Sequence, residues 1–315
     1  DGQNLRRCVA ADDDGGIDGF TLRGGSALMG AGMLGGTAVN CVFTDNHAKS
    51  LDASGSWEVS AGGMKGKKAV NCVFSGNSST GVGGGMSGGM AEKCTFTGNS
   101  ANEGGGMEGG KAEKCVFTGN SATGGGGMFG TEAVDSVFRD NHAISGGGMV
   151  FGKAERCSIT GNSATGGGGG TYETELVMCT ISGNSSGGHG GGMCGGRANN
   201  CLITGNGGGI GGGSSESRIV NCTVYGNTAT EGGGLYMGVA VNSILWGNTG
   251  GDFLYCIGEY SCAGAPFDGI PFEWSKDDVG NIYEAPLFVN AAAGDFRLLP
   301  GSPCIDTGTS AWNGL

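Results

Sequence analysis

A unit of 21 or 22 residues recurs along most of the chain, and this recurrence constrains the fold more than any other feature. The copy at residues 112–122 reads Ala-Glu-Lys-Cys-Val-Phe-Thr-Gly-Asn-Ser-Ala, and Gly-Gly-Gly-Met follows at 125–128. A fixed period between about 20 and 50 residues is typical of a repeat architecture.

The aligned copies share fixed columns of residues. The first column holds Cys, and Phe20, Ser136 and Ser243 stand in the same register; its Cys members are Cys41, Cys72, Cys94, Cys115, Cys157, Cys179, Cys201 and Cys222. Two residues later comes a large apolar residue, such as Phe74 or Ile181. Five residues after the Cys comes Asn, at Asn46, Asn77, Asn99, Asn120, Asn141, Asn162, Asn184, Asn206, Asn227 and Asn248. A Met column completes the unit.

These columns predict strands rather than helices. The Cys-x-Phe alternation has a period of two, which places both residues on one face of a strand. Gly before the Asn indicates a turn with positive φ. The chain lacks long amphipathic runs, and its 74 Gly among 315 residues disfavour helical repeats, because each destabilises a helix interior by ~1 kcal/mol.

When such coils stack, equivalent residues of neighbouring coils lie about 4.8 Å apart. The side-chain amides of buried Asn residues can then form hydrogen bonds with one another. The sequence therefore predicts an all-β fold, a right-handed parallel β-helix of about eleven coils over residues 1–248. Residues 249–315 are expected to form an irregular aromatic cap that covers the open end of the solenoid.

The paired elements Phe-x-Gly-Asn and Gly-Gly-Gly-Met resemble the repeats of polymorphic outer-membrane proteins. That resemblance covers roughly residues 17–250 and implies a passenger domain of a surface-displayed adhesin. The stretch Ile-Asp-Gly-Phe-Thr at 17–21 resembles a motif of secreted bacterial β-helix proteins. Residues 286–308 are similar to the closing motif of extracellular proteins of the choice-of-anchor group, which implies an anchor beyond Leu315.

Composition limits the partners. The net charge of −12 argues against nucleic acid and anionic membranes. No apolar stretch is long enough to span a membrane, so we expect no membrane insertion. Together with the resemblances, this favours an extracellular or cell-surface location.

The 13 Cys have two interpretations. Those in the column read as buried, small hydrophobic residues, although stacked neighbours also lie at a distance compatible with disulfides. Outside the column, Cys256 and Cys262 are the pair expected to form a bridge, in an irregular loop. Cys8, Cys194 and Cys304 have no predicted partner.

Ligand sites are weakly indicated. A ten-residue insertion within 49–61 carries Trp57, a candidate for stacking on a sugar or for folding back over the rod. Asp12, Asp13 and Asp14 suggest calcium, although a solvated turn is the simpler interpretation. No other cofactor is expected.

No catalytic group emerges from the columns. Glu92, Glu113 and Glu155 recur two residues before a Cys, each beside a Lys or Arg, which reads as a solvated charge ladder. His47 and His142 share a column but lie four coils apart, and His189 stands alone in a Gly run.

Two functional hypotheses follow. The first is a non-catalytic adhesin stalk or structural filament subunit, with self-association end to end or side by side or with a host surface or glycan as partner. The second is a carbohydrate-active enzyme or glycan-binding module of the pectate-lyase-like type, which would need grouped carboxylates or bound calcium on one face.

Overall fold

The computed structural model describes residues 6–49, 60–264 and 279–309. Its strands form a parallel β-solenoid whose coils stack in register, so the predicted parallel β-helix is confirmed. Each coil carries three principal strands, which we call the Met, Ala and Phe strands after the residue that each one buries. The only helical segment in the described residues is a 3-10 turn at Ala291–Ala293.

The Met and Ala strands form one sheet of 22 strands. The Met strands are Val9–Ala10, Met33–Leu34, Met64–Lys65, Met86–Ser87, Met107–Glu108, Thr171–Tyr172, Met193–Cys194, Ser214–Ser215, Leu235–Tyr236 and Phe253–Leu254. The Ala strands are Gly16–Asp18, Thr37–Val39, Lys68–Val70, Met90–Glu92, Lys111–Glu113, Glu175–Val177, Arg197–Asn199, Arg218–Val220, Val239–Val241 and Ile257–Glu259. In two coils the Met and Ala strands run on as one, at Met128–Val134 and Met149–Glu155.

The Phe strands form a second sheet of 12 strands. They are Thr21–Arg23, Val42–Thr44, Val73–Ser75, Thr95–Thr97, Val116–Thr118, Val137–Arg139, Ser158–Thr160, Thr180–Ser182, Leu202–Thr204, Thr223–Tyr225, Ile244–Trp246 and Cys262–Ala263. Short strands follow the Asn column at Ser26–Ala27, His47–Ala48, Ser78–Ser79, His142–Ser145, Ser163–Gly167 and Ser185–Ser186. A hairpin of Phe288–Asn290 and Asp295–Leu298 ends the described chain.

Sharp corners with left-handed backbone separate the strands. The turn before the Asn column is one of them, as at Gly119 with φ of 62°. A second lies before the Cys column, where bulky residues such as Lys114 and Arg156 hold φ of 54° and 51°. A single non-Gly residue in this region is strained by roughly 1 kcal/mol, so the stacked ladders must compensate for that strain.

Identical side chains stack inside the solenoid. Phe43, Phe74, Phe96, Phe117 and Phe138 form a continuous pile with ring centroids 4.7, 4.7, 4.6 and 4.8 Å apart. The Met column and the Ala strands fill the remainder of the interior, and their inward side chains are buried in every coil after the first, where Val9 and Ile17 are partly buried. Thr171, Ser214 and Leu235 replace Met in three coils and are equally buried.

The Asn column lies inside the coil and bonds to itself. Oδ1 of Asn120 accepts hydrogen bonds from the backbone N–H of Asn99 at 3.0 Å and from its Nδ2 at 2.9 Å. Nδ2 of Asn120 in turn donates to the carbonyl of Phe96 and to Oδ1 of Asn141. At the last coil Asp252 takes the place of the next Asn, because its Oδ1 accepts from both nitrogens of Asn248.

The Cys column is also buried, and its thiols are free. The backbone N–H of Cys94 donates to Sγ of Cys115 at 3.4 Å, while Sγ of Cys94 contacts the carbonyls of Ala69 and Glu92. Ser136 fills the same place with a hydroxyl, which accepts from the N–H of Cys115 at 3.0 Å. This column therefore requires a small side chain that can both accept and donate a hydrogen bond.

The sequence columns predict that the repeat ends at Asn248, but in the structure the repeat continues beyond this residue. Phe253–Leu254, Ile257–Glu259 and Cys262–Ala263 pair in parallel with the preceding coil, which adds a twelfth coil to the eleven predicted. Ser261 occupies the Cys column in this coil. Because Ser replaces Cys there, the alignment of the repeats did not detect the coil. The handedness remains a prediction, whereas the solenoid extends past the predicted boundary at 248.

The C-terminal segment covers both an edge and a flank of the solenoid. Ile282 bridges to Cys262 and extends the ladder over the last coil. Two aromatic rings of this segment pack elsewhere: Phe288 and Phe296 lie 5.9 and 5.2 Å from the ring of Tyr225, on the outer face of the Phe strands. The prediction that these aromatic residues cover the open end is therefore wrong for Phe288 and Phe296.

Replacing one Asn of the ladder should destabilise the solenoid strongly. We expect Asn120→Ala to lower the free energy of unfolding by about 3–5 kcal/mol, since it removes four hydrogen bonds and leaves buried donors and acceptors unpaired. Urea denaturation followed by circular dichroism measures this. The matched control is Asn102→Ala at an exposed position, which should change stability by less than about 0.5 kcal/mol. Equal effects of the two variants would contradict the ladder's role.

Candidate functional site

A cleft of about 450 Å³ lies on one flank, between two columns of outward-facing residues. The outer positions of the Met strands form one wall, in the register Glu108, Phe129, Val150 and Tyr172. The isolated bridges that precede the Gly runs form the other, in the register Glu103, Gly124, Ser145 and Gly167. The described residues lining the cleft are Asn102, Glu103, Thr123, Gly124, Phe129, Ile144, Ser145, Val150, Phe151 and Tyr172.

Missing side chains on one wall make room for rings on the other. A Cβ added to Gly124 would lie 3.4 Å from Cε2 of Phe129, and one added to Gly167 would lie 3.6 Å from Cδ2 of Tyr172. Neighbouring coils carry larger residues at this position, Glu103 before Gly124 and His189 after Gly167. Gly124 and Gly167 therefore leave the rings of Phe129 and Tyr172 uncovered on this side.

Phe151 holds the most unusual position of the cleft. It stands at a left-handed corner with φ of 55°, where the preceding coil has Gly130 with φ of 63°. Its ring is 44% exposed and meets Phe129 edge to face, with centroids 5.5 Å apart and planes at 88°. Glu173, Met237 and Tyr255 hold the same left-handed corner in later coils, so the exposed ring, and not the backbone conformation, makes Phe151 a candidate for ligand contact.

Polar groups stand at the mouth of the cleft. Asn102 and Thr123 are exposed, and Oγ1 of Thr123 donates to Oδ1 of Asn102 at 3.5 Å. The backbone N–H groups of Thr123 and Gly124 both donate to the carbonyl of Asn102, which fixes these residues on the rigid ladder. The combination of apolar walls and a few fixed polar groups is typical of a small-molecule site.

The electrostatic field of the cleft is negative. Burial raises the pKa of Glu103, and the neighbouring carboxylate of Glu108 raises it further. Glu108 accepts a hydrogen bond from Oγ of Ser87 at 2.9 Å. Burial, followed by the charges of Cys194, Glu173 and Glu216, also raises the pKa of the Tyr172 hydroxyl. No Lys or Arg is among the described residues that line the cleft.

Aromatic residues continue along the same flank towards the C-terminal coils. The rings of His189 and Tyr236 have centroids 6.4 Å apart, and those of Tyr236 and Tyr255 are 5.9 Å apart. Cys194 follows Tyr172 in the same register, and burial raises the pKa of its thiol to about 11. The flank thus offers a row of rings longer than the cleft itself.

The structure keeps the other candidates from the sequence apart. Trp57 lies outside the described residues. Nδ1 of His47 is hydrogen-bonded to Oγ of Ser78 in the next coil at 2.8 Å, and Nδ1 of His142 is bonded to Oγ of Ser163 in the same manner.

The predicted Cys256–Cys262 bridge is not formed in the structure and stays a prediction. The twelfth coil separates them: Cys256 precedes the Ala strand and its Sγ contacts the carbonyls of Leu235 and Leu254. Cys262 begins the last Phe strand, and its Sγ contacts the carbonyl of Glu284 at 3.3 Å. The loop that seemed irregular from sequence is an ordered coil with the two residues at different corners.

Recurring acids on the Ala strands are paired with bases. Glu92 lies 3.0 Å from Nζ of Lys68 and 3.6 Å from that of Lys93, and Glu113 lies 3.2 Å from Nζ of Lys114. Contact with Lys68 lowers the pKa of Glu92. These residues form an exposed charge ladder and not a cluster of acids.

Two of the three acids near the start of the chain are paired as well. Asp13 and Asp14 lie 3.8 and 3.4 Å from Nζ of Lys67. Within 6–49, 60–264 and 279–309, no group of three or more His, Cys, Asp or Glu side chains could hold a metal ion. Lys67 also lines a depression of about 590 Å³, in which four of the ten lining residues are Gly and the charged side chains are Asp13, Lys65 and Lys67.

The sequence columns missed the cleft for a recognisable reason. Phe129 and Tyr172 stand one residue after the Met column, and Phe151 stands two after it. Aromatic residues recurring there in neighbouring copies were a usable signal. Their convergence with Glu103 depends on the corner that precedes the Gly run, which the column alignment did not reveal.

Comparisons with known proteins add little beyond the fold. No family model matches the sequence, and no curated protein matches it. Among solved structures, the Dettilon tailspike protein gp208 shares 12% sequence identity with a TM-score of 0.30, over 73% of this chain. The chain spans 55% of the tailspike's length. Within the described residues, no helix is long and apolar enough to cross a membrane.

Neutralising Glu103 should stabilise the protein near neutral pH. The pKa of Glu103 is raised in the folded state. The stability that its protonated form contributes is therefore fully present below the ordinary pKa of Glu and is lost as the pH rises through the pKa of the folded state. We expect Glu103→Gln to raise the free energy of unfolding at pH 7 by about 0.5 kcal/mol, a modest effect because the side chain is partly exposed. The gain should vanish near pH 3.5. Thermal unfolding at both pH values measures it, and a loss of stability at pH 7 would contradict the assignment.

Proposed function

We propose that the chain is a non-catalytic, secreted or cell-surface β-helix that acts as an adhesin and binds a glycan in the aromatic cleft. One observation carries the proposal: the rings of Phe129, Phe151 and Tyr172 converge beside the exposed polar side chains of Asn102 and Thr123. Sugars have apolar C–H faces that pack on aromatic rings, and hydroxyls that bond to polar groups. An arrangement of both on a rigid scaffold suits them.

The ligand should be an extended oligosaccharide. Phe129 and Tyr172 are two coils apart in register, which corresponds to about 10 Å along the rod. The row continues through His189, Tyr236 and Tyr255 on the same flank. A chain of sugars lying parallel to the rod axis would contact successive rings.

The charge of the cleft selects among glycans. Glu103 and Glu108 lie at one end, and Glu173 and Glu216 act on Tyr172 at the other. A uronic or sialic acid would be repelled by these carboxylates, whereas an amino sugar would be attracted. We therefore expect neutral or amino glycans as ligands.

The remainder of the solenoid acts as a rigid spacer in this proposal. Location outside the cell, and the likeness of the repeats to polymorphic outer-membrane proteins and to choice-of-anchor proteins, are parts of the proposal that rest on the sequence motifs. Self-association into filaments stays a prediction of the same kind. The location, the anchor and self-association do not affect the cleft, because the coils that form it lie in the middle of the solenoid.

Removing the ring of Phe151 should separate binding from folding. We expect Phe151→Gly to weaken glycan binding at least about tenfold, as loss of a central aromatic contact does, while relief of the left-handed strain offsets the lost packing. Glycan arrays followed by calorimetric titration measure affinity, and thermal unfolding measures stability. The control is Phe20→Ala, which removes an aromatic ring that is 59% exposed and lies in the first coil.

Equal binding by Phe151→Gly and the parent chain would contradict the cleft assignment. Trp57→Ala belongs in the same series, since the insertion was the sequence-based candidate for a sugar contact. Loss of binding in that variant alone would move the site to the insertion.

A hydrolase is the second candidate function, favoured by Glu103 and Glu108. The raised pKa of Glu103 suits a general acid, and Glu108 would act as the charged partner. If the protein cleaves the glycan that it binds, Glu103→Gln should lower kcat by at least about 100-fold. Release of new reducing ends measures the reaction. Binding without release of reducing ends by the parent chain would leave the adhesin interpretation.

A further inference from the structure

Two thiols from distant parts of the chain meet at the C-terminal end of the solenoid. Cys262 begins the last Phe strand, and Cys304 belongs to the segment that follows the hairpin. Sγ of Cys262 lies 3.3 Å from the carbonyl of Glu284, and Ser302 links Cys304 to the carbonyl of Pro286, two residues further along the same segment. Cys262 is 2% exposed, whereas Cys304 is half-buried and accessible from solvent.

A series of specific contacts holds the two segments together. Sγ of Cys262 contacts the carbonyl of Glu284 at 3.3 Å, and Ile282 pairs with the same strand. Oγ of Ser302 donates to the carbonyl of Pro286 at 2.6 Å and accepts from the N–H of Cys304 at 3.2 Å. The position of Cys304 is therefore fixed by its own backbone and does not depend on the thiol contact alone.

We propose that Cys262 and Cys304 form a disulfide that fastens the C-terminal segment across the last coil. The Cys304 thiolate attacks one sulfur of a low-molecular-weight disulfide such as oxidised glutathione, and one glutathione thiolate leaves. The Cys262 thiolate then attacks the sulfur of Cys304 in the mixed disulfide, and the second glutathione leaves. The two protein thiols are oxidised, one glutathione disulfide is reduced to two thiols, and the protein's protons pass to the departing glutathione.

The roles of the two thiols follow from their surroundings. The hydrogen bond from Cys262, and a second contact with Ser302, lower the pKa of Cys304. The same contact with Cys304, followed by burial, raises the pKa of Cys262. The accessible thiol is thus the one that ionises first, which is required of the attacking residue.

The thiols of the Cys column are different in kind. Each is at most 3% exposed, and each accepts a backbone N–H or contacts carbonyls within the ladder. A bridge between stacked neighbours would remove these contacts and needs an oxidant inside the solenoid. Only the pair at the end of the rod joins two separate segments.

The bridge would protect an exposed strand edge. The segment around Ile282 pairs with the twelfth coil, and Asn242 exchanges two hydrogen bonds of 2.9 Å with Thr309 beyond Cys304. A covalent bond between these contacts closes the chain over the edge of the last coil, which an unprotected solenoid would present to other strands. Cross-linking of this kind stabilises mainly by restricting the opened state.

Peptide mapping tests the proposal directly. The full chain is incubated in a buffer of oxidised and reduced glutathione, quenched with iodoacetamide under denaturing conditions, and digested without reduction by trypsin and by a protease that cleaves after Glu. Cleavage after Glu259 separates Cys256 from Cys262, so the two candidate bridges give different peptides. We expect a cross-linked peptide that contains Cys262 and Cys304 and has lost two hydrogens, with the thiols of the column alkylated.

A second measurement tests the effect of the bridge. We expect cleavage by trypsin after Arg297, whose side chain is 80% exposed, to become at least about tenfold faster in Cys304→Ser than in the oxidised parent chain. Cys256→Ser is the matched control, because Ser217 and Gly238 show that a small residue is accepted at that corner. Full alkylation of both Cys262 and Cys304 after oxidation, or a cross-link of Cys262 to Cys256, would overturn the proposal.

Discussion

The stacking of equivalent side chains from successive coils along the solenoid axis is the constraint on which the rest of the structure depends. Within a coil, no inward side chain can be chosen for its own coil alone, because its counterparts in the neighbouring coils lie about 4.8 Å above and below it. The Asn column shows how strict this is, since Oδ1 of Asn120 satisfies two donors of the coil below while its Nδ2 reaches two acceptors. Asp252 can end the column because an aspartate accepts as asparagine does and, having no amide N–H, needs no acceptor in a further coil.

This rigidity explains how the outer surface can vary. Because the ladders determine the backbone, positions such as Lys114 and Phe151 tolerate a left-handed conformation that would be unfavourable elsewhere. The same ladders hold an acidic, an aliphatic and two aromatic residues in one register on the outer surface, namely Glu108, Phe129, Val150 and Tyr172. A binding cleft can therefore arise from substitutions on the flank, with no change to the interior.

The parts of the fold that the sequence predicted are those that repeat. Phe117 and Asn120 belong to columns with a period that identifies both a strand and a turn, and the parallel β-helix follows from them. The twelfth coil was missed because Ser261 and Asp252 replace Cys and Asn, although each keeps the hydrogen bond that its column requires. The Cys256–Cys262 bridge was predicted from proximity in sequence, which has little meaning where a short coil turns a corner between the two residues.

The cleft could be predicted only in part, because it depends on where two columns meet in space. Phe129 and Tyr172 repeat at one position after Met, but their partners Gly124 and Gly167 matter through what they lack. Likewise, the contact of Cys304 with Cys262 depends on how a non-repeating segment folds back, and no periodicity reports on that. Function on this scaffold is therefore carried by departures from the repeat.

The most direct measurement is fluorine NMR of the chain labelled with 3-fluorotyrosine, titrated with a panel of neutral and amino oligosaccharides. The chain has six Tyr, so each resonance can be assigned by a Tyr→Phe variant. Glycan binding in the cleft predicts that the Tyr172 signal shifts with ligand concentration while that of Tyr225, packed beneath the C-terminal hairpin, stays unchanged. A Tyr172 signal that does not move with any member of the panel, or a shift at Tyr225 alone, would contradict the account.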